Sequence, residues 1–479
     1  MKCSTGGPLP RSRRHHPCRC LRTRRFLSAC ASENSISYSN PRTDGVRYVY
    51  CLLILLLSSM PAVRAQGELE IIIDTGVENT LPIAVIPFGW NGAAGEQPID
   101  LHRTIANNLS RSGRFATMDE NEMPQRPVEF AHVNFSDWQL LRMENIVIGN
   151  LKQTQAGDYE IEFRLLDVYK ANQLTGFRIK AKRRQLRRIA HRISDIIFEK
   201  LTGVRGAFDT RIAYVTVKQD QAGQDRHSLQ IADADGFNPQ VLLESDQALM
   251  SPAWSPDGKR LAYVSFEGDS SSVFVQDIRT GRREEVAAHE GINSAPAFSP
   301  DGGRLAMTLS KDGNPEIYVL HLAGNSLQRI TRHRAIDTEP NWSPDGSRLV
   351  FTSDRGGTPQ IYEVGLQGGA PRRLTFDGSY FARPRHSPDG AGITMVYGSN
   401  GAYRIAYLDT GNGSLSVLTN NRLDESPSFS PNGSMIIYAT NGRYGSELAA
   451  VSADGKVRQR LALQDGEVRE PAWGPFPAD

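Results

Sequence analysis

The sequence predicts two domains: a small N-terminal α/β domain followed by a C-terminal six-bladed β-propeller with WD40-like Ser-Pro-Asp-Gly repeats, closed by the C-terminal strand. Three observations carry this. Ser-Pro-Asp/Asn-Gly begins at Ser255, Ser299, Ser343, Ser387 and Ser430, and a degenerate copy, Trp473-Gly474-Pro475-Phe476, falls on the same period. Each repeat holds short β-prone runs separated by turn residues. Residues 66–205 lack the repeat and alternate strand and helix signals.

Within a repeat, Pro252-Ala-Trp254 leads into the Ser-Pro-Asp-Gly turn. Arg260-Leu-Ala-Tyr-Val-Ser265 follows, then Ser272-Val-Phe-Val-Gln-Asp277 and, past Gly281, Arg283-Glu-Glu-Val286. In the turn, Pro presets φ, Asp bonds nearby backbone and Gly accepts the left-handed conformation. The Pro-x-aromatic half recurs at Pro252, Pro296, Pro340, Pro384, Pro427 and Pro471. The run after the turn recurs at Arg211, Arg260, Arg304, Arg348, Gly392 and Met435. The Arg211 copy lacks an inner strand before it, and Pro471-Ala-Trp473 lacks partner strands after it. Joining the two closes the ring and removes exposed sheet edges.

Trp254, Phe298, Trp342, Phe429 and Trp473 share one inner-strand position. They are expected to pack between blades, each burial contributing about 1.5–3 kcal/mol. His386 stands where the others are aromatic and is expected to be packed and hydrogen-bonded rather than a ligand.

In the N-terminal domain, residues 81–88 read as a buried strand, 145–149 as another and 159–169 as a half-buried one. Residues 100–112 carry Leu101, Ile105 and Leu109 at helical spacing; residues 187–201 carry Ile189, Ile193, Ile197 and Leu201. Residues 202–209, with Gly203 and Gly206, form a short linker, and the propeller spans 209–479.

The net charge of +2 is set by the leader: residues 1–65 hold 11 Lys/Arg against Glu33 and Asp44, leaving the remainder at −7. An acidic product does not point to nucleic acid. All five cysteines lie at or before Cys51, so the remainder tolerates an oxidising compartment. Residues 46–65 read as a signal peptide: Arg47, the apolar run 49–60, then Val63-Arg-Ala65, with cleavage expected after Ala65. Residues 1–45 are Arg-rich without hydrophobic periodicity and are expected to be unstructured, upstream of the true start. The basic run 180–188 reads as a solvated face opening a helix. Residues 68–79 form an N-terminal arm whose Glu68-Leu-Glu-Ile-Ile-Ile-Asp74 is β-prone and can dock on its own domain or join another protein's sheet.

No catalytic pattern emerges. Tyr397-Gly-Ser399 fails as a nucleophile elbow, His289-Glu290 is not followed by the second zinc-binding His, and no phosphate loop is present. Asp233-Ala-Asp235-Gly236 reads as turn chemistry. What remains is the propeller mouth. Met250, Ser251, Ser294, Ala295, Thr338, Glu339, Ala382, Arg383, Ser426, Arg469 and Glu470 precede or begin the inner strands and should ring one entrance, with Asp337, Asp424 and Glu425 making it acid-rich. Tyr380 and Phe381 are the rim aromatics that a glycan-binding reading would use, and a propeller enzyme is the other rival.

The chain resembles the TolB family of the Tol–Pal system. The resemblance rests on Ile73-Asp-x-Gly76, Pro82-Ile-Ala-Val-Ile-Pro-Phe88, Phe198-Glu-Lys-Leu-Thr-Gly203, the junction from Gly206, Leu249-Met-Ser-Pro-Ala-Trp-Ser-Pro-Asp-Gly258, Thr338-Glu-Pro340, Leu423-Asp-Glu425 and Pro471-Ala-Trp473. It implies a non-enzymatic, monomeric periplasmic adaptor without cofactor or metal. Pal, the peptidoglycan-associated lipoprotein, would bind at the mouth. The TolA C-terminal domain would read the arm through Glu68, Ile71, Ile73, Asp74 and Gly76. Other outer-membrane proteins and bacteriocins are further partners the family implies, and its role is in outer-membrane integrity and division. Its Pal contacts map onto Ala295, Thr338 and Glu339; Ile292 stands where the family commonly has His.

Overall fold

The computed structural model describes residues 80–92, 97–268, 270–442, 445–461 and 466–478. The segments read from sequence as a leader (1–45), a signal peptide (46–65) and an N-terminal arm (68–79) lie outside the described residues.

The N-terminal domain is built from β1 (Leu81–Val85), β2 (Gly89–Asn91), α1 (Leu101–Arg111), β3 (Phe115–Thr117), α2 (Phe135–Leu140), β4 (Asn145–Gln153), β5 (Tyr159–Asp167), β6 (Asn172–Ala181) and α3 (Leu186–Thr202). Its sheet runs β3-β1-β4-β5-β6, with β2 added against β4. β1 is parallel to both its neighbours, and β4, β5 and β6 are antiparallel in turn. Alternate residues of β1 and β4 face opposite sides. Ile83, Val85 and Val147 meet α1 and α3, while Ala84, Ile146 and Ile148 meet Trp138 of α2. Asp100 caps α1 by accepting from the Arg103 amide at 2.9 Å. α3 ends at Gly203, whose φ of +76° suits the left-handed C-cap.

Three local expectations need correcting. β1 stops at Val85 because Pro87 has no N–H to extend the ladder. The basic run opens a helix only in its second half: Lys180 and Ala181 finish β6, and Arg183–Gln185 make a 3-10 turn that leads into α3 at Leu186. Nor is that run wholly solvated, since Arg187 and Arg188 are paired with carboxylates across the domain seam.

The propeller has six four-stranded blades. Blade 1 joins the last strand, Glu467–Trp473, to Arg211–Gln219, Asp225–Asp233 and Gln240–Ser245. The inner strands of blades 2 to 6 are Leu249–Trp254, Asn293–Phe298, Asp337–Trp342, Tyr380–His386 and Asp424–Phe429. Each Ser-Pro-Asp-Gly is a closed turn. In the first, the Ser255 hydroxyl donates to Asp257 at 2.6 Å and accepts from the Arg260 amide at 2.9 Å. The turn carboxylate is thereby taken up by its own loop.

Blades are stapled in a repeating way. Trp254 Nε1 donates to the Ala472 carbonyl of the preceding blade at 3.0 Å, and Trp342 Nε1 to Ala297 at 2.9 Å. The arginine that opens the second strand of one blade stacks on the aromatic of the next: Arg211 on Trp254, Arg260 on Phe298 and Arg304 on Trp342, at 5.2, 5.3 and 4.6 Å. In blade 5 that position is Gly392, and the Tyr407 ring fills the space, 2.2 Å from where a Cβ would stand. Tyr407 then meets Phe429 edge-on.

The N-terminal domain sits on the face carrying these turns. Arg111 Nη1 donates to the Ala234 carbonyl at 3.2 Å, Asn432 donates to the Arg205 carbonyl at 2.9 Å, and Gln459 donates to the Arg111 carbonyl. Arg187 pairs with Asp235 and lies over the Phe237 ring at 3.9 Å. The linker is held rather than loose. Asp195 of α3 accepts from the Phe208 and Asp209 amides at 2.7 and 3.1 Å, and Gly206 has no room for a Cβ beside it.

Candidate functional site: the propeller mouth

The face opposite the N-terminal domain carries the starts of the inner strands and the loops between second and third strands. Each inner strand enters through a β-bulge, seen as a register slip after Met250, Ser294, Thr338, Ala382, Glu425 and Arg469. The extra residue is Ser251, Ala295, Glu339, Arg383, Ser426 and Glu470 in turn, each left-handed with φ between 50° and 58°. Such a conformation costs a non-glycine residue about 1–3 kcal/mol. The repeat proline follows at once, and a bulge is where a strand tolerates a residue with no N–H.

Four of the bulge side chains, Glu339, Arg383, Ser426 and Glu470, meet across the channel. Arg383 reaches across it: Nε donates to Glu339 Oε1 at 3.0 Å, Nη2 to Glu470 Oε1 at 2.8 Å, and Nη1 to the Ser426 hydroxyl. Glu339 Oε2 also accepts from the Arg383 amide and the Thr352 hydroxyl, each at 2.9 Å. Glu470 Oε2 accepts from the Ser251 amide at 3.2 Å, and the Glu339 amide donates to Thr308 at 3.2 Å. Every blade therefore contributes to one network that spans the channel. Side-chain exposures of 24% for Arg383, 21% for Glu339 and 13% for Glu470 make it a largely desolvated cluster. The charges of Glu470 and then Glu339 raise the Arg383 guanidinium above its ordinary value, overcoming burial. Burial pushes Glu470 up, but Arg383 beside it wins and holds the carboxyl below its usual range.

Two of the acids expected to enrich the rim do not reach it. Asp337 is fully buried and paired with Arg355 at 2.6 Å. Asp424 is fully buried and accepts from the Thr440 hydroxyl at 2.6 Å. Both are the first residue of their strand, and strand alternation turns them inward. Of the other expected rim residues, Ser294, Ala295, Thr338 and Glu425 are half-buried and Met250 is exposed. Phe381 is fully buried, so a glycan-stacking pair with Tyr380 does not exist. Sequence reasoning missed the rim's apolar character. Ile292, Ile336 and Phe376 precede inner strands, Phe266 and Tyr403 flank the neighbouring loops, and all five are exposed along with Met250. Their signal was available as large apolar residues in loops, where polar ones are the rule.

His386 is half-buried, with both ring nitrogens shut off from solvent, but the ring lacks the expected hydrogen bond: neither nitrogen has a partner among the described residues. Away from the mouth, His191, Asp233 and Asp235 lie close enough to hold a cation. The Arg187 guanidinium already pairs with both carboxylates, so the cluster carries its own cation.

A family model described as the TolB amino-terminal domain matches residues 69–174, and one described as the TolB beta propeller domain matches residues 198–477. The Tol-Pal system protein TolB of Thioalkalivibrio sulfidiphilus is 63% identical over 424 residues, covering 88% of this chain and 97% of that protein. That of Nitrosococcus oceani is 60% identical over 424 residues, covering 88% and 96%. The crystal structure of TolB from Acinetobacter baumannii superposes with a TM-score of 0.78 at 40% identity, covering 85% of this chain and all of that one. With both domains matched and nearly the full length of these relatives spanned, the chain belongs to the TolB family.

Proposed function

We propose that the chain is a non-enzymatic periplasmic adaptor of the Tol–Pal system, exported by cleavage after Ala65, that binds Pal at the propeller mouth and TolA through residues 68–79. It links the two in maintaining the outer membrane and in envelope constriction. The observation that carries this reading is the ion-paired mouth with its apolar rim. Glu339, Arg383 and Glu470 satisfy one another across the channel, which ties these acids up in structure. Around them stand exposed Met250, Ile292, Ile336 and Phe376, a surface suited to capture by apolar burial. Ala295, Thr338 and Glu339 are then the floor of the contact, with Ser251, Ser294 and Glu425 beside them. Asp424 acts from beneath by fixing its strand.

Calorimetric titration with the soluble domain of Pal tests the site. Ile336→Asp, which touches no part of the ion-pair network, is expected to weaken Pal binding at least about tenfold, the equivalent of about 1.4 kcal/mol, without shifting the thermal midpoint. Glu339→Ala should weaken Pal binding and also destabilise the ring. Deleting residues 68–79 should remove TolA binding while leaving Pal binding measurable. A folded wild-type protein that binds neither partner would defeat the adaptor reading.

A further inference from the structure

We propose that the seam between blades 4 and 5 is an acid-labile joint of the ring, opened by protonation of His386. Each inner-strand aromatic position in the ring is filled by a Trp or Phe, save in blade 5. There the side chain is an imidazole, with both nitrogens shut off from solvent and neither bonded among the described residues. A neutral imidazole leaves one N–H unsatisfied in that place. A protonated one brings a second N–H and a full charge, and burying a charge without a partner is far costlier. The seam's polar tie beside it is the His386 amide, which donates to Asn341 Oδ1 of blade 4 at 2.9 Å.

The charged groups facing the ring all come from blade 4. Arg348, the arginine that stacks on an aromatic at other seams, opposes protonation. Glu363 and Asp345 favour it, but Glu363 is already paired with Arg348 at 3.4 Å. Burial, the largest influence, together with Arg348 holds the imidazole below its ordinary value of 6.5. A base held low in the fold gives stability that is complete above about pH 6.5 and is lost as pH falls below it, because the unfolded chain then binds the proton more readily. Glu339 and Arg383 lie on the inner strands of these two blades, so the joint lies directly under the mouth's ion pair.

Thermal unfolding of the protein and of its His386→Phe form between pH 8 and pH 5 tests this, because Phe is what equivalent seams carry. The wild type is expected to lose at least about 2 °C more than the variant over that range. Asp195, raised to about 7, and Asp233, raised to about 6, change stability in the opposite sense and are common to both proteins. If His386→Phe does not fold, His386→Leu serves. Hydrogen exchange at pH 5 should show the wild type opening first in residues 337–342 and 380–386. Parallel pH profiles, or opening at another seam, would overturn the proposal.

Discussion

Arg383→Met is expected to lower stability by about 3–5 kcal/mol, the largest loss from any single change at the mouth. The substitution keeps an unbranched apolar stem and removes the guanidinium that Glu339 and Glu470 share. Two carboxylates would then be left together in a site with little solvent, with the nearby Arg385 charge compensating them only in part. The cost lies in those orphaned charges more than in the lost pair itself, since buried ion pairs repay little beyond their own desolvation. Glu339→Gln and Glu470→Gln added to Arg383→Met should therefore restore much of the loss, and that non-additivity is the diagnostic. Urea midpoints at constant slope measure it. The pH sense follows from Glu470. Its carboxyl is held below the ordinary 4.5, so its share of the stability is present above that value and is lost as pH falls through the lower folded one. The gap between wild type and Arg383→Met should accordingly narrow in acid. An unchanged midpoint for Arg383→Met would mean the network orders the mouth without stabilising it.

The ring was legible because its signal is local and repeated. Turn chemistry at Ser255 and its copies marks each blade, and the second strands begin at Arg211, Arg260, Arg304, Arg348, Gly392 and Met435, the positions read from sequence. The bulges were not legible, because Ser251, Ala295, Glu339, Arg383, Ser426 and Glu470 share no side-chain chemistry; only the proline that follows marks the spot. The cross-channel pairs were further out of reach. Arg383 lies 44 residues from Glu339 and 87 from Glu470, and only ring closure brings them together. Asp337 and Asp424 look like rim acids in a polar loop, but a one-residue difference in where the strand starts turns a side chain from solvent to core. In the N-terminal domain β6 escaped notice because Gly176 and the slip between Leu165 and Leu166 break its alternation. α2, at six residues, is too short to show a helical period.

Asp235→Ala is expected to have the largest effect on the seam between the domains, again about 3–5 kcal/mol, because two guanidinium groups depend on it. Arg187 pairs with it directly. Arg111 is buried with one carbonyl partner, Ala234, and its Nε has none among the described residues. Asp235 itself is held low: burial pushes it up, but the nearby His191, Arg111 and Arg187 together outweigh that. Asp233 is the less favoured of the two acids, raised to about 6 by burial and by the Asp235 charge. It cannot take over Asp235's role without first losing that repulsion, which Asp235→Ala removes. Partial replacement by Asp233 is thus the one relaxation open to the variant, and Asp233→Asn on top of Asp235→Ala should deepen the loss. Arg187→Ala combined with Asp235→Ala should cost less than the sum of the single changes, with a coupling of about 0.5–3 kcal/mol. Because the linker is fixed separately by Asp195, the damage should be local. Hydrogen exchange is expected to rise in α3 and in residues 233–237 while the mouth strands stay protected. Additive single changes, or exchange spreading evenly through the propeller, would show that the seam is held by apolar packing, such as Gly113 against Val457, rather than by its buried charges.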